Sequence, residues 1–273
     1  MTVHLGILDW GIGGVDFYAR LRRAHPDLPV TYWSDAGATP YGKQSQPDLA
    51  ARVESVAREL QRRGVTHLVV ACNAASTVLD HPRLRALTRS GLPITGVIEP
   101  AITAALADPA RAFGVVGGKR TITSQVYRRG LEIAGRRVLQ RVAQPLSALV
   151  ERGHTDGPEV RAEIARIFAP LRRVEALVLA CTHYTALLPP IRAAVPDARI
   201  IDPAAATLAF VTRHWHLDRA VVPARTRPEP GALPRPGTSD MFLTTGDPEA
   251  MRRAARQAFG VELAAVDGVL HFG

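Results

Sequence analysis

Two stretches decide how this chain folds: Leu68-Val69-Val70-Ala71-Cys72-Asn73-Ala74-Ala75-Ser76, and Leu177-Val178-Leu179-Ala180-Cys181-Thr182-His183-Tyr184-Thr185. In each, a short unbroken apolar run gives way to a polar turn at a cysteine. Such a run reads as a buried strand of a parallel sheet that feeds a helix, and α/β folds gather their chemistry at the carboxyl ends of these strands. The chain of 273 residues has only two cysteines, and both stand there. A free cysteine is often no more than a small buried apolar residue. A disulfide is a second bland reading, and a zinc site a third, although no CxxC or HExxH spacing supports a metal. Repetition of the setting favours chemistry, with one sulfur on each side of a substrate in a pseudo-symmetric site.

Outward from these runs, β-like and helical patterns alternate almost throughout. Strand candidates are VHLGIL (Val3 onward), PVTYWS, THLVVAC, PITGVI, AFGVVG, RVLQRV, ALVLAC and ARIID, with MFLTT and GVLHF near the end. The spacing of Leu49, Val53, Val56 and Leu60 predicts a helix from Pro47 to Arg63, stopped by Gly64. Asp247-Pro248 caps a last helix that ends at Gly260. The alternation implies mainly parallel sheets with helices on both sides. Domain boundaries are expected at Glu99-Pro100, after the strand around Ile98, and near Asp202-Pro203. The Pro-, Gly- and Arg-rich segment from Val222 to Gly237 reads as a surface loop.

The formal charge is +9, and arginine carries nearly all of it, Lys43 and Lys119 being the only lysines. The arginines come as scattered doublets such as Arg22-Arg23, Arg62-Arg63 and Arg252-Arg253, which reads as solvated helix faces rather than a nucleic-acid patch. Attraction of anionic small molecules is the safer inference. No leader precedes VHLGIL and no apolar stretch approaches membrane-spanning length, so a cytoplasmic protein without membrane association is expected. His214 and His216 read as a polar patch on a helix end.

Three further turns carry candidate chemistry. DWGIGG (Asp9 to Gly14) follows the first strand; its glycines suit close backbone approach to an anion, but Asp16 stands where a dinucleotide loop needs its third glycine. TPYG (Thr39 to Gly42) is either an ordinary proline turn or a loop whose N–H groups hold a carboxylate. GGKRTITS (Gly117 to Ser124) places Thr121 to donate a hydroxyl. Glu151 and His183 are candidate auxiliary acid–base groups, Glu151 against the alternative of a plain surface residue.

In this order DWGIGG, TPYG, CNAAS, GGKRT and ACTHYT resemble the aspartate/glutamate racemase family, which carries DSGVGG, a PYG loop, CNTAS, a Gly-Thr…Thr turn and GCTHYP. The resemblance spans essentially the whole chain. It implies a cofactor-independent, metal-free isomerase built as two pseudo-symmetric three-layer α/β lobes, with the active site between them. Residues 1–98 plus 207–273 would form the lobe of Cys72, and residues 99–206 the lobe of Cys181. It further implies interconversion of L- and D-glutamate in peptidoglycan synthesis, a small carboxylate amino acid as sole partner, and a homodimer. Cys72 and Cys181 would exchange the roles of base and acid, since a thiolate is reactive and its pKa can fall at a helix N-terminus. Asp9, Glu151 and His183 would tune proton transfer, Tyr41 and Gly42 would hold the distal carboxylate, and Asn73, Thr121 and Thr182 would be donors to the substrate.

Three departures from the pattern stand beside the substrate. Trp10 replaces a serine, Ala74 a threonine, and Gly118 the first threonine of its turn. Each removes a hydroxyl, and one unmet polar partner costs about 1–3 kcal/mol. A family member reshaped for another acid is therefore the second reading of the sequence, and a non-catalytic binding relative the third.

Overall fold

In a computed structural model, which describes residues 3–219 and 240–270, the apolar runs become parallel strands. The first half runs β1 (Leu5–Asp9), α1 (Val15–Ala24), β2 (Val30–Ser34), α2 (Gln46–Arg62), β3 (His67–Val70), α3 (Asn73–Ser76), α4 (Pro82–Arg89) and β4 (Ile94–Gly96). Next come α5 (Ile98–Ala107), β5 (Ala112–Gly117), α6 (Lys119–Thr123), α7 (Val126–Glu132), β6 (Arg137–Val142), α8 (Gln144–Glu151) and α9 (Pro158–Phe168). The chain continues through β7 (Ala176–Ala180), α10 (Leu188–Ala194), β8 (Arg199–Ile201), α11 (Pro203–His214), β9 (Met241–Thr244), α12 (Pro248–Phe259) and β10 (Asp267–Gly268).

The strands form two sheets, ordered β10-β9-β2-β1-β3-β4 and β6-β5-β7-β8, and every pairing is parallel. The order β2-β1-β3-β4 in one sheet is repeated by β6-β5-β7-β8 in the other, so the two lobes share one winding. In each sheet the order reverses beside the first strand, β1 or β5, and that reversal opens a crevice at the strand ends. Strands β1, β2 and β7 are buried at every residue, as a parallel sheet covered on both faces requires.

Local signals explain the helices. Ser45 caps α2 by accepting from the Asp48 N–H at 3.2 Å, Pro47 sits in the first turn, and Gly64 closes it at φ +86°. Leu49, Val53, Val56 and Leu60 form its buried face, as their spacing predicts. Asp247 caps α12, and Gly260 ends it in the left-handed region. Four of the doublet arginines meet carboxylates on their own helices: Arg62 and Arg63 both pair with Glu59, Arg128 with Glu132, and Arg252 with Glu249. Such exposed pairs contribute little to stability. Arg22 departs from that reading, for it is buried and paired with Asp240.

Other expectations shift. Among the described residues of the GVLHF region only Gly268, with Asp267 before it, pairs as a strand. The segment from Val222 to Gly237 lies outside the described residues. Glu99-Pro100 falls in the first turn of α5, and Asp202 is the N-cap of α11. Positions 206 and 207 lie within α11, which packs against both α5 and α1. Among the described residues no helix is long and apolar enough to cross a membrane.

Candidate active site

The carboxyl ends of six strands converge on one cavity of about 350 Å³. Asp9 and Trp10 enter it after β1, Tyr41 and Gly42 after β2, and Cys72, Asn73 and Ala74 after β3. From the other lobe come Gly118 and Thr121 after β5, Glu151 from the helix after β6, and Cys181, Thr182 and His183 after β7. Every site residue expected from the sequence thus lies on this wall. Fold repetition is the cause, because β3 and β7 hold equivalent places in their sheets and each delivers a cysteine to its end. The two cysteines share an extended backbone, φ −130° and ψ 120° at Cys72, φ −156° and ψ 130° at Cys181, and each precedes a short helical turn. Both are free thiols.

Each sulfur has its own acid–base neighbour. Beside Cys72 stands Asp9, fully buried, whose Oδ2 accepts the Gly14 N–H at 2.8 Å while Oδ1 has no partner among the described residues. Burial pushes the Asp9 carboxyl up, against the pull of His183, the Cys72 thiol and the Gly14 N–H. Burial, then the charge of Asp9, pushes the Cys72 thiol well above its ordinary value and outweighs the Ala75 N–H that favours the thiolate. The expectation that a helix N-terminus lowers this thiol therefore fails at Cys72, since α3 spans a single turn and desolvation dominates.

Around Cys181 the balance differs. Its Sγ lies 3.6 Å from His183 Nδ1, and His183 Nε2 meets Glu151 Oε1 at 2.5 Å. Burial alone would discharge the imidazole, but Glu151 and then Cys181 hold its pKa well above 6.5. Burial likewise opposes the Glu151 charge, yet His183 and the Ile12 N–H, 3.3 Å away, keep that carboxyl below its ordinary value. Glu151 is therefore the hydrogen-bond partner of a buried imidazole rather than a plain surface residue.

The glycine turn after β1 faces anions, as expected, but they are the protein's own carboxylates. Gly14 donates to Asp9 and Ile12 to Glu151. A Cβ at Gly11 would lie 2.2 Å from Glu151 Oε1, so only glycine lets this turn approach the opposite lobe. Tyr41 is pinned by its hydroxyl, which donates to Asp35 Oδ2 at 2.8 Å. Asp35 is held in turn by Arg52 and by the Thr245 hydroxyl. Tyr41 and Gly42 open a 3-10 turn, whose first N–H groups lack intrahelical acceptors. Asn73 accepts from the Tyr127 hydroxyl at 2.7 Å, which leaves its buried Nδ2 unpartnered on the cavity wall. The Trp10 indole packs beside the first-lobe core and donates to the Ala38 carbonyl at 3.0 Å while also lining the cavity.

Sequence reasoning missed Lys43, Arg120, Gln144 and Ser147, which also line the cavity. Lys43 directly follows TPYG and Arg120 lies inside GGKRTITS, and those positions were the available signal. Nothing in the sequence pointed to Gln144 or Ser147, because α8 reads as an ordinary amphipathic helix. His214 and His216 lie outside the cavity lining. Among the described residues no His, Cys, Asp and Glu side chains group to hold a metal ion.

Two identically wound parallel sheets, facing one cavity with a thiol on each wall, define a two-lobed α/β architecture. The model of the family described as Asp/Glu/Hydantoin racemase matches residues 5–211. A glutamate racemase of Deinococcus radiodurans is 38% identical, covering 91% of this chain and 83% of its own. One of Mycobacterium avium is 34% identical over 98% of this chain and 96% of its own. The crystal structure of glutamate racemase from Thermus thermophilus in complex with beta-chloro-D-alanine superposes with a TM-score of 0.83 at 30% identity, covering 98% and 97% of the two chains. The chain belongs to the Asp/Glu/Hydantoin racemase family, and it is an isomerase.

Proposed function

We propose that this protein interconverts L- and D-glutamate by passing a proton between two cysteines and the α-carbon, without a cofactor. The observation that carries the reading is that Cys72 and Cys181 line one cavity from equivalent strands, each beside a separate acid–base group. The thiolate of one cysteine takes the α-proton and becomes a thiol. The electron pair left on carbon spreads into the α-carboxylate, and the opposite thiol then gives its proton to the other face. The product is the mirror-image acid, and the two sulfurs have exchanged protonation states.

The surroundings support a first division of roles. The imidazolium of His183 offers a counter-charge to a thiolate at Cys181, while burial keeps Cys72 protonated as the acid. Asp9, between Cys72 and the glycine turn, suits the tuning of proton transfer at Cys72. The N–H groups of Tyr41 and Gly42 suit the distal carboxylate, and Asn73 Nδ2, Thr121 and Thr182 suit the α-carboxylate. The division into residues 1–98 plus 207–273 and 99–206 belongs to this proposal, with α11 as a bridge between the lobes, as does a homodimer.

The test is α-proton exchange of each glutamate enantiomer in deuterated water, followed together with optical rotation. Cys72→Ser and Cys181→Ser should each lower racemisation by about 10²–10⁴-fold. Racemisation surviving in either variant would exclude the two-thiol mechanism.

Trp10 supports a second reading within the same chemistry. Its indole fills the wall next to Asp9, where the family pattern carries a serine hydroxyl that would suit an ammonium. That suits an acid with a different group on the α-carbon, and exchange of other small dicarboxylates in wild-type protein would identify it.

A further inference from the structure

Arg120 brings a cation to the cavity that neither the motifs nor the proposed mechanism employs. It sits in α6 of the second lobe and reaches across the cleft. Its Nε donates to Thr77 Oγ1 at 3.0 Å and its Nη1 to the Gln44 carbonyl at 2.7 Å, both in the first lobe. A guanidinium has five N–H donors in a rigid planar fork. Two are used by these anchors, and the rest have no partner among the described residues. The anchored fork lines the cavity within electrostatic reach of Cys72.

The wall around it is short of donors. Ala74 and Gly118 carry no hydrogen-bonding side chain, and each stands where the sequence pattern led us to expect a hydroxyl. Asn73 Nδ2 is buried, unpartnered and on the same wall. We infer that Arg120, together with Asn73, grips the substrate carboxylate attached to the carbon that exchanges its proton, in place of the hydroxyls missing at Ala74 and Gly118. The Thr77 anchor seats the fork at the end of α3, the helix that Cys72 opens, and this selects that carboxylate over the distal one, because the α-carbon must lie within reach of the thiol. Negative charge grows on this carboxylate as the proton leaves. A fixed guanidinium therefore gains strength in the transition state, where hydroxyl dipoles gain less. The inference deepens the racemase reading and rests on it for the identity of the acid.

The experiment compares wild type, Arg120→Gln and Arg120→Lys in two assays, exchange of glutamate α-protons and calorimetric titration with glutarate. The unfolding midpoint of each is recorded. Arg120→Gln should lower kcat/KM by about 100-fold, mainly through kcat. Arg120→Lys, which keeps the charge but loses the fork, should recover part of it. An Arg120→Gln enzyme within threefold of wild type overturns the inference and leaves the racemase reading standing. If wild type exchanges no glutamate but binds glutarate, and Arg120→Gln weakens that binding at least tenfold, the glutamate reading falls while the clamp stands. If wild type exchanges nothing and glutarate binding is absent or indifferent to residue 120, the clamp is overturned as well. Should Arg120→Gln lower the unfolding midpoint, Arg120→Lys decides alone. A tenfold loss of turnover at an unchanged midpoint supports the clamp, and parity with wild type refutes it.

Discussion

Gly13 of the first lobe approaches His183 of the second so closely that a Cβ on Gly13 would lie 2.7 Å from the ring Nδ1. The same Cβ would meet Thr182 Oγ1 at 2.4 Å and Asp9 Oδ2 at 2.8 Å. One backbone position thus sets how tightly the turn after β1 closes against the His183–Glu151 pair beside Cys181. The acid–base groups of the two thiols are packed through this glycine.

Gly13→Ala should therefore harm both turnover and stability. The three crowded atoms belong to buried side chains held by their own contacts, so the strain cannot escape into solvent. Overpacking of this kind costs about 1–3 kcal/mol. The expected result is a lower unfolding midpoint and a fall in kcat greater than the change in KM, read by thermal melts and by racemisation kinetics.

The His183–Glu151 pair gives a pH signature. The folded pKa of His183 is raised, so its contribution to stability is complete below 6.5 and is lost as pH rises through the higher folded value. The folded pKa of Glu151 is lowered, so its contribution is complete above 4.5 and is lost as pH falls through the lower folded value. Glu151→Gln should consequently lose most stability, relative to wild type, between pH 4.5 and 6.5. Without its carboxylate partner the buried imidazole should lose its proton at lower pH, moving the basic limb of the kcat/KM profile to lower pH. Melts across pH and a pH–rate profile check both.

Restoring the absent hydroxyls asks what Trp10, Ala74 and Gly118 do together. The combined variant Trp10→Ser, Ala74→Thr and Gly118→Thr should raise kcat/KM for glutamate by about tenfold if the pocket has been reshaped, one donor being worth about 1–3 kcal/mol. At Gly118 the new Cβ would stand 3.0 Å from Gln144 Oε1, the far end of a flexible side chain that can yield. Steady-state kinetics on both enantiomers read the outcome, and an unchanged or lower kcat/KM would count against reshaping.

Much of this architecture is visible in the order of residues. Apolar runs ending at Cys72 and Cys181 announced buried parallel strands, because a strand covered on both faces has no room for polar alternation. Ser45 with Pro47, Asp247 with Pro248, and the glycines at 64 and 260 marked helix ends through local backbone chemistry that needs no tertiary partner. The motifs at Asp9, Tyr41, Asn73, Thr121 and His183 named residues on both walls of the cavity. Glu151 was harder to place, since a glutamate at a helix end looks the same whether it faces water or a buried imidazole.

By itself, then, the chain order determined the repeated strand-to-helix units, their parallel sheets and the pair of thiols at strand ends. These depend on periodicity, capping and apolar runs, which are local. Only tertiary structure decided which thiol stands beside a carboxylate and which beside an imidazolium, and that the glycine turn grips the opposite lobe. It alone also brought Arg120 to the site. Charge and proton affinity at a buried atom are set by neighbours distant in sequence and by the water that packing removes. No stretch of residues carries that information until the two lobes meet.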